Sequence, residues 1–168
     1  TSLFVPQLVL EERFNAQAVE PIVPRYNIAP EDNLATIPND DPEAIDQYEW
    51  GFTPVWDDSK HLINARSESI HEKQTFKDSF ESRRCLILAD GFYEWEGQRG
   101  TKQPYRIERT DNEPFAFAGL WQEYGNGDKQ RQVTILTTDS NSVVEKIHDR
   151  MPVILEPDEE SAWLDDSP

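Results

Sequence analysis

The chain has 168 residues and a single cysteine, a length that suits one domain with its own hydrophobic core. Its 33 acidic side chains outnumber 16 basic ones, and the formal net charge of -17 at pH 7 argues against an ordinary nucleic-acid binder. One cysteine excludes an internal disulfide, and no apolar run has the length of a membrane span or the layout of a signal peptide. We therefore expect a soluble cytoplasmic protein without membrane contact.

Short strands dominate the predicted elements. The segment from Gln7 to Ala16 is predicted as a helix, because Leu8, Leu10 and Phe14 stand among charged residues at helical spacing. Runs of β-branched and aromatic residues bounded by turn residues predict strands at Ile22 to Ile28, Leu34 to Ile37, Cys85 to Ala89, Phe92 to Trp95, Tyr105 to Arg109, Phe115 to Leu120 and Val133 to Thr138.

Further helices are predicted at Ser67 to Lys73, at Ser142 to His148 and after Pro157. Ser142 with Glu145 matches a capping box. Because no repeating strand-helix-strand pattern is present, we predict an α+β fold over residues 1–168, a single domain with a curled, barrel-like mixed β-sheet and peripheral short helices.

Polar residues in aromatic-rich, non-periodic segments are the candidates for chemistry. Glu94 stands between Tyr93 and Trp95. If it is buried there, its pKa rises and suits it to acid/base work, whereas simple strand alternation would turn it to solvent. His148 either presents a nitrogen to a cleft or only complements a helix dipole.

Other candidates concern binding. Asn64 and Arg66 are two residues apart, so an extended segment turns both to one side, where Arg66 could hold a phosphate. Trp50, Phe52 and Trp56 could stack on unpaired bases. For each of these residues the alternative is an ordinary structural or core role.

Cys85 precedes a strongly apolar run, which favours a small buried residue over a reactive thiolate. A Cys-His protease built from Cys85 and His148 is a remote alternative. His61, His71 and His148 lack metal-ligand spacing, and there is no Gly-rich phosphate loop, so we expect neither a metal nor a cofactor.

Taken in order, these segments resemble the SOS-response-associated peptidase (SRAP) family over nearly the whole chain. Each segment alone is weak, but their ordered conjunction is specific. The resemblance is carried by Leu10-Glu-Glu-Arg-Phe14, Tyr26-Asn-Ile-Ala-Pro30, Trp50-Gly-Phe52, Asn64-Ala-Arg-Ser-Glu68, Gly91-Phe-Tyr-Glu-Trp95 and His148-Asp-Arg-Met-Pro152.

The resemblance implies capture of abasic sites in single-stranded DNA during DNA repair. In the family the initiator methionine is removed autocatalytically, and the exposed cysteine forms a Schiff base with the opened sugar and closes a thiazolidine. By carry-over, Asn64 would position that terminus, Glu94 would manage the amine proton, and His148 would assist sugar ring opening. Arg66 would hold a phosphate beside the lesion.

We expect Arg25, Arg66 and Arg150, joined by Lys60 or Arg106, to form a local basic island for DNA on an otherwise acidic surface. A halophilic source would reconcile that surface with DNA binding, because molar salt shortens the Debye length to about 3 Å.

The family carries Met-Cys-Gly-Arg just before the position of Thr1 and continues beyond that of Pro168. We therefore expect that family residues are missing at both ends, and that the chain as given does not crosslink. A non-catalytic single-strand-binding module is the alternative. The protein is expected to be a monomer that associates with the nucleoid when it acts on DNA.

Overall fold

A computed structural model describes residues 1–96 and 102–165 of the chain. Its helices are α1 (Gln7–Phe14), α2 (Gln74–Ser82) and α3 (Pro157–Leu164), and Val144–Lys146 forms a short 3-10 helix. The strands are β1 (Gln17–Ala18), β2 (Asn33–Pro38), β3 (Ala44–Trp50), β4 (Asn64–Arg66), β5 (Arg84–Ala89), β6 (Phe92–Glu96), β7 (Gln103–Ile107), β8 (Phe115–Tyr124), β9 (Gln130–Asp139), β10 (Arg150–Pro152) and β11 (Ile154–Leu155). Within the described ranges, no helix has the length and apolar character needed to cross a bilayer.

Five of these strands close into a barrel. β2 pairs antiparallel with β3 and β5, β5 pairs with β8, and β8 pairs with β9. A parallel pairing of β3 with β9 completes the ring, with Glu49 opposite Gln132 and Trp50 opposite Val133. The prediction of an α+β fold with a barrel-like mixed sheet is therefore confirmed.

Apolar side chains fill the inside of the barrel, as expected for a small barrel whose alternate residues face inward. Phe115 and Phe117 of β8 are fully buried and meet edge to face, with ring centroids 5.4 Å apart. Gly119 leaves room for its neighbours, because a Cβ at this position would lie 2.6 Å from Cδ1 of Ile87.

β6 and β7 form a separate antiparallel hairpin beside the barrel. Phe92 anchors it, since this side chain is 4% exposed and its ring lies 5.9 Å from that of Phe117. The rest of the hairpin projects from the barrel, which makes it one wall of a possible cleft.

Two of the predicted elements do not form. The segment from Ile22 to Ile28 forms no strand, because Pro24 cannot donate a ladder hydrogen bond; Arg25 makes an isolated bridge with Leu3 there. The segment from Ser67 to Lys73 forms turns, and the helix α2 begins only after it.

The predicted helix from Ser142 to His148 is reduced to the 3-10 turn at Val144–Lys146. Its cap is also different: the side-chain oxygen of Asn141, and not Ser142, accepts the N–H groups of Val143 and Val144 at 3.1 and 2.9 Å. The Ser142–Glu145 capping box is therefore wrong.

A largely buried ion pair joins α1 to α3. The guanidinium of Arg13 donates to both carboxylate oxygens of Glu160 at 3.0 and 2.7 Å, and the two side chains are 21% and 10% exposed. The pair fixes the two helices on the same side of the barrel.

Replacing Glu160 by glutamine leaves the Arg13 cation without its anionic partner, so we expect the free energy of unfolding to fall by about 1–3 kcal/mol. Chemical denaturation measures the change. The control is Glu12→Gln, which alters an exposed carboxylate on α1 and should shift the same quantity by less than about 0.5 kcal/mol. Equal losses in the two variants would contradict a stabilising role for the pair.

Candidate active site

A cleft of about 280 Å³ opens where β4, the β6–β7 hairpin and β10 come together. Its apolar floor includes Phe92, Phe117 and Met151. Its polar groups belong to Thr1, Asn64, Glu94, Thr137, His148 and Arg150. Three predicted catalytic residues, far apart in sequence, therefore share one concave surface, and Thr1 joins them without any signal in the sequence patterns.

β9 explains why distant segments meet at this cleft. On one edge of β9, β4 runs parallel and places Arg66 opposite Thr137. On the other edge, β10 runs antiparallel and places Pro152 opposite Thr137 and Arg150 opposite Asp139. Because β4 and β10 flank the same residues of β9, the Asn64 segment and the His148 segment are held side by side.

Glu94 faces inward. It lies two residues after the buried Phe92 on β6, so both side chains lie on one face, and the Glu94 side chain is 19% exposed whereas Trp95 is 50% exposed. The alternative that alternation turns Glu94 to solvent is therefore wrong. Burial raises the pKa of the Glu94 carboxyl, the nearby His148 works against that rise, and Asp149 adds to it.

His148 is held by the backbone of a neighbour. Its Nδ1 accepts the N–H of Arg150 at 3.1 Å and also lies 3.1 Å from the Arg150 carbonyl oxygen. When Nδ1 carries no proton, it accepts the N–H of Arg150. When Nδ1 is protonated, it donates to the Arg150 carbonyl oxygen, so it has a partner in either state. Nδ1 is also 3.9 Å from Oε2 of Glu94. That distance is within ion-pair range but too long for a hydrogen bond.

The side chain of Arg150 connects three residues of the cleft region through hydrogen bonds. Its guanidinium donates to both carboxylate oxygens of Glu68 at 3.0 Å, to Oδ1 of Asp139 at 3.0 Å and to Oγ1 of Thr137 at 3.1 Å. These hydrogen bonds from Arg150 are the main cause that lowers the pKa of Glu68 to about 2. Two carboxylates thus neutralise the Arg150 cation, and its predicted contact with DNA stays a prediction.

Arg66 lies beside the cleft on the same face of β4 as Asn64, because the intervening Ala65 is buried. Its side chain is 65% exposed, and its Nε is 4.0 Å from Oε2 of Glu68. Arg25 instead pairs with Asp32 at 2.9 Å and does not line the cleft. Of the three predicted DNA-binding cations, Arg150 therefore lines the cleft, whereas Arg66 and Arg25 do not.

The three predicted stacking residues differ in exposure. Phe52 is 0% exposed and packs against Phe76, so its prediction as a base-stacking platform is wrong. Trp50 is 9% exposed, lines the cleft and donates its Nε1–H to the carbonyl of Ile63 at 3.0 Å. Trp56 is 60% exposed, and its role in stacking stays a prediction.

Cys85 lies within β5 and is 0% exposed, and burial raises the pKa of its thiol. It is not among the residues that line the cleft with His148, so the Cys-His protease alternative is wrong. In the part of the chain that the structure describes, no group of three His, Cys, Asp or Glu side chains could hold a metal ion.

Comparison with known proteins finds chains of similar sequence and similar fold. The chain is 43% identical over 149 residues to the abasic site processing protein YoqW of Bacillus subtilis, covering 84% of this chain and 66% of YoqW. It is 33% identical to the abasic site processing protein YedK of Escherichia coli, covering 83% of this chain and 64% of YedK. A crystal structure of a Bacteroides thetaiotaomicron protein superposes with a TM-score of 0.90 at 25% identity, covering 99% of this chain and 81% of that one.

The chain thus spans just under two thirds of the length of YoqW and YedK. The family model described as SOS response associated peptidase (SRAP) matches residues 1–168. On this match, together with the identity to YoqW, the chain belongs to the SRAP family.

Proposed function

We propose that this domain binds single-stranded DNA and captures abasic sites covalently through a cysteine carried on the segment that leads into Thr1. The observation that carries the proposal is the meeting of Thr1, Asn64, Glu94 and His148 in one cleft. Three further residues ahead of Thr1 would reach at most about 10 Å, a span that stays within or beside a cleft of this size.

The chemistry begins at the aldehyde of the opened sugar. The cysteine amine attacks the aldehyde carbon, and loss of one water leaves an imine. The thiol sulfur then adds to the imine carbon and its proton passes to the ring nitrogen, so amine, thiol and aldehyde become a thiazolidine and one water. Glu94 takes the amine proton, His148 moves the proton that opens the sugar ring, and Asn64 orients the terminus.

DNA reaches the cleft along the side of β4. Arg66 offers an exposed cation for a phosphate, and Trp56 offers an exposed ring for a neighbouring base. Self-removal of an initiator methionine ahead of the cysteine would use the same acid/base pair. The protein acts as a monomer at the DNA.

The first expected outcome concerns the nucleophile. The chain that begins at Thr1 should give no stable crosslink with abasic single-stranded DNA, because its hydroxyl closes no thiazolidine, whereas the chain preceded by Met-Cys-Gly-Arg should give one. Denaturing gels and intact mass detect the product. The matched control is the same extension with serine in place of cysteine, which should give at most a reversible imine.

Two results would contradict the proposed nucleophile or the proposed covalent function. A stable crosslink from the chain that begins at Thr1 would assign the chemistry to another side chain. No crosslink from the extended chain would favour a non-catalytic single-strand-binding module with the same cleft.

The second expected outcome concerns pH. If Glu94 accepts the amine proton, the crosslinking rate of the extended chain rises as the pH passes through the Glu94 pKa, which burial places above its ordinary value of 4.5. Glu94→Gln should lose this part of the pH profile and react about 100-fold more slowly at neutral pH. Both proteins should keep the separate rise that comes from deprotonation of the N-terminal amine near pH 8.

The melting temperature of Glu94→Gln distinguishes a loss of catalysis from a loss of folding. A carboxyl whose pKa is raised by folding holds its proton more tightly in the folded state, so ionisation of Glu94 destabilises the fold as pH rises above 4.5 and through the raised pKa. Glu94→Gln avoids that cost and should not lower the melting temperature at pH 7. A variant that is both slower and less stable would argue for a structural role of Glu94.

The third expected outcome concerns binding. Arg66→Ala should weaken the affinity for single-stranded DNA by a similar factor for all sequences, and reduce the salt slope of log affinity by about 0.7, the loss of one phosphate contact. Fluorescence anisotropy over a salt series measures both quantities. Arg109→Ala is the control, because it removes the same charge from a side chain whose guanidinium is already ion-paired with Asp111 at 3.0 Å. Equal effects in the two variants would contradict a specific phosphate contact at Arg66.

A further inference from the structure

The segment Thr1 to Val5, called here the N-terminal segment, is hydrogen-bonded on both sides. On one side Thr1 exchanges backbone hydrogen bonds with Ile28 at 3.2 and 2.7 Å, and Leu3 exchanges two with Arg25 at 2.8 Å. On the other side Ser2 donates its N–H to the Gly91 carbonyl at 2.9 Å and accepts the N–H of Asp90 at 3.0 Å. The segment therefore lies between two walls, and its leading end points into the cleft at Thr1.

The side chain of Asp90 joins this segment at several points. Its Oδ1 accepts the Ser2 hydroxyl at 2.6 Å, and its Oδ2 accepts the N–H groups of Phe4 and Val5 at 2.6 and 3.2 Å. The carboxylate is only 4% exposed, so these donors replace the water that burial removes. No group used in the proposed chemistry needs Asp90, which leaves its dense contacts with the segment to be explained.

Arg106 closes the arrangement from the β6–β7 hairpin. Its Nη2 lies 3.1 Å from Oδ1 of Asp90, 3.1 Å from the Asp90 carbonyl oxygen and 3.1 Å from the Ser2 hydroxyl. Its guanidinium also lies over the Phe4 ring, 5.0 Å from the centroid. Gly91 makes this approach possible, because a Cβ there would lie 2.6 Å from the Arg106 guanidinium carbon.

These contacts fix the register of the N-terminal segment against the residues on its two sides. A slip of one residue would turn Leu3, which is 3% exposed, out of the core, and is therefore already excluded. A slip of two residues keeps the faces but moves the leading end by about 7 Å. That slip would set the ring of Phe4 against the buried Asp90 carboxylate in place of the Ser2 hydroxyl, so Asp90 is the group that excludes it.

We propose that Asp90, clamped by Arg106, is a positioning residue that sets the register of the N-terminal segment and thereby aims the residues ahead of Thr1 at Asn64, Glu94 and His148. This inference rests on the proposed function, because it concerns the delivery of the nucleophile. It predicts that loss of the clamp slows the covalent step while DNA binding, which uses the β4 side, is unaffected.

The test uses the full chain preceded by Met-Cys-Gly-Arg. Asp90→Asn keeps the shape of the side chain but replaces one acceptor oxygen by a donor, so it cannot accept from Ser2, Phe4 and Val5 together. Single-turnover crosslinking against DNA concentration should show a maximal rate lowered by about 10- to 100-fold, with the half-saturating DNA concentration changed by less than about twofold.

A milder variant and a matched control accompany it. Gly91→Ala displaces the flexible end of Arg106 while the backbone at position 91 stays acceptable, and should lower the maximal rate by about three- to tenfold. Glu160→Gln also neutralises a buried, ion-paired carboxylate, but between α1 and α3, away from the residues that line the cleft. It should keep the maximal rate within about twofold although it lowers stability.

Amide hydrogen exchange gives a readout that does not depend on crosslinking. The amides of Phe4 and Val5 should exchange about tenfold faster in Asp90→Asn, with the amides of β8 and β9 unchanged. The inference is overturned if Asp90→Asn crosslinks as fast as Glu160→Gln, if its half-saturating DNA concentration rises in step with the loss of rate, or if its N-terminal amides stay protected. If the unsubstituted extended chain forms no crosslink, the proposed function itself fails and this inference falls with it.

Discussion

The barrel closes through the short parallel pairing of β3 with β9, where Glu49 lies opposite Gln132 and Trp50 opposite Val133. The site depends on the same strand, because β9 goes on from this closure to pair with β4 on one edge and β10 on the other. β9 thus fixes both the closure of the barrel and the register of Asn64 and Arg150 relative to each other. Phe117 of β8 and Ile135 of β9 also line the cleft, so the register of these two strands sets its shape as well.

Charge at the site is largely compensated before any DNA arrives. Arg150 is paired with Glu68 and Asp139, and Arg25 is paired with Asp32, whereas the side chain of Arg66 is mostly exposed. For a protein with a formal net charge of -17, such pairing limits long-range attraction of DNA. For the proposed function, this arrangement favours a weak encounter with DNA followed by covalent capture, since a covalent bond removes the need for a tight non-covalent complex.

Prediction from sequence succeeded where a pattern is local. The helix at α1 and the central strands of the barrel follow from apolar periodicity, and Glu94 stands out between two aromatic residues. β3 could not be predicted in this way, because Asp46 and Glu49 interrupt its apolar pattern and its place depends on pairing partners.

The site was predictable only in part, for a similar reason. Asn64, Glu94 and His148 stand out as polar residues in aromatic-rich segments, the family resemblance supplies their expected roles, and their meeting in one cleft depends on the register of β9. Thr1 and Asp90 gave no signal, because their importance comes from contacts with residues about 90 positions away in the chain. The prediction for Phe52 was wrong because the sequence around an aromatic residue does not show whether its ring lies in the core or at the surface.

The β6–β7 hairpin carries two groups with different tasks. Glu94 lies on β6, and Arg106 lies on β7 directly opposite Tyr93, the residue before Glu94. Because the hairpin forms its own sheet beside the barrel, Glu94 and Arg106 are held relative to each other by the hydrogen bonds of the hairpin and not by those of the ring. The hairpin therefore ties the position of the Glu94 carboxylate in the cleft to that of the Arg106 guanidinium, which contacts Asp90 and Ser2.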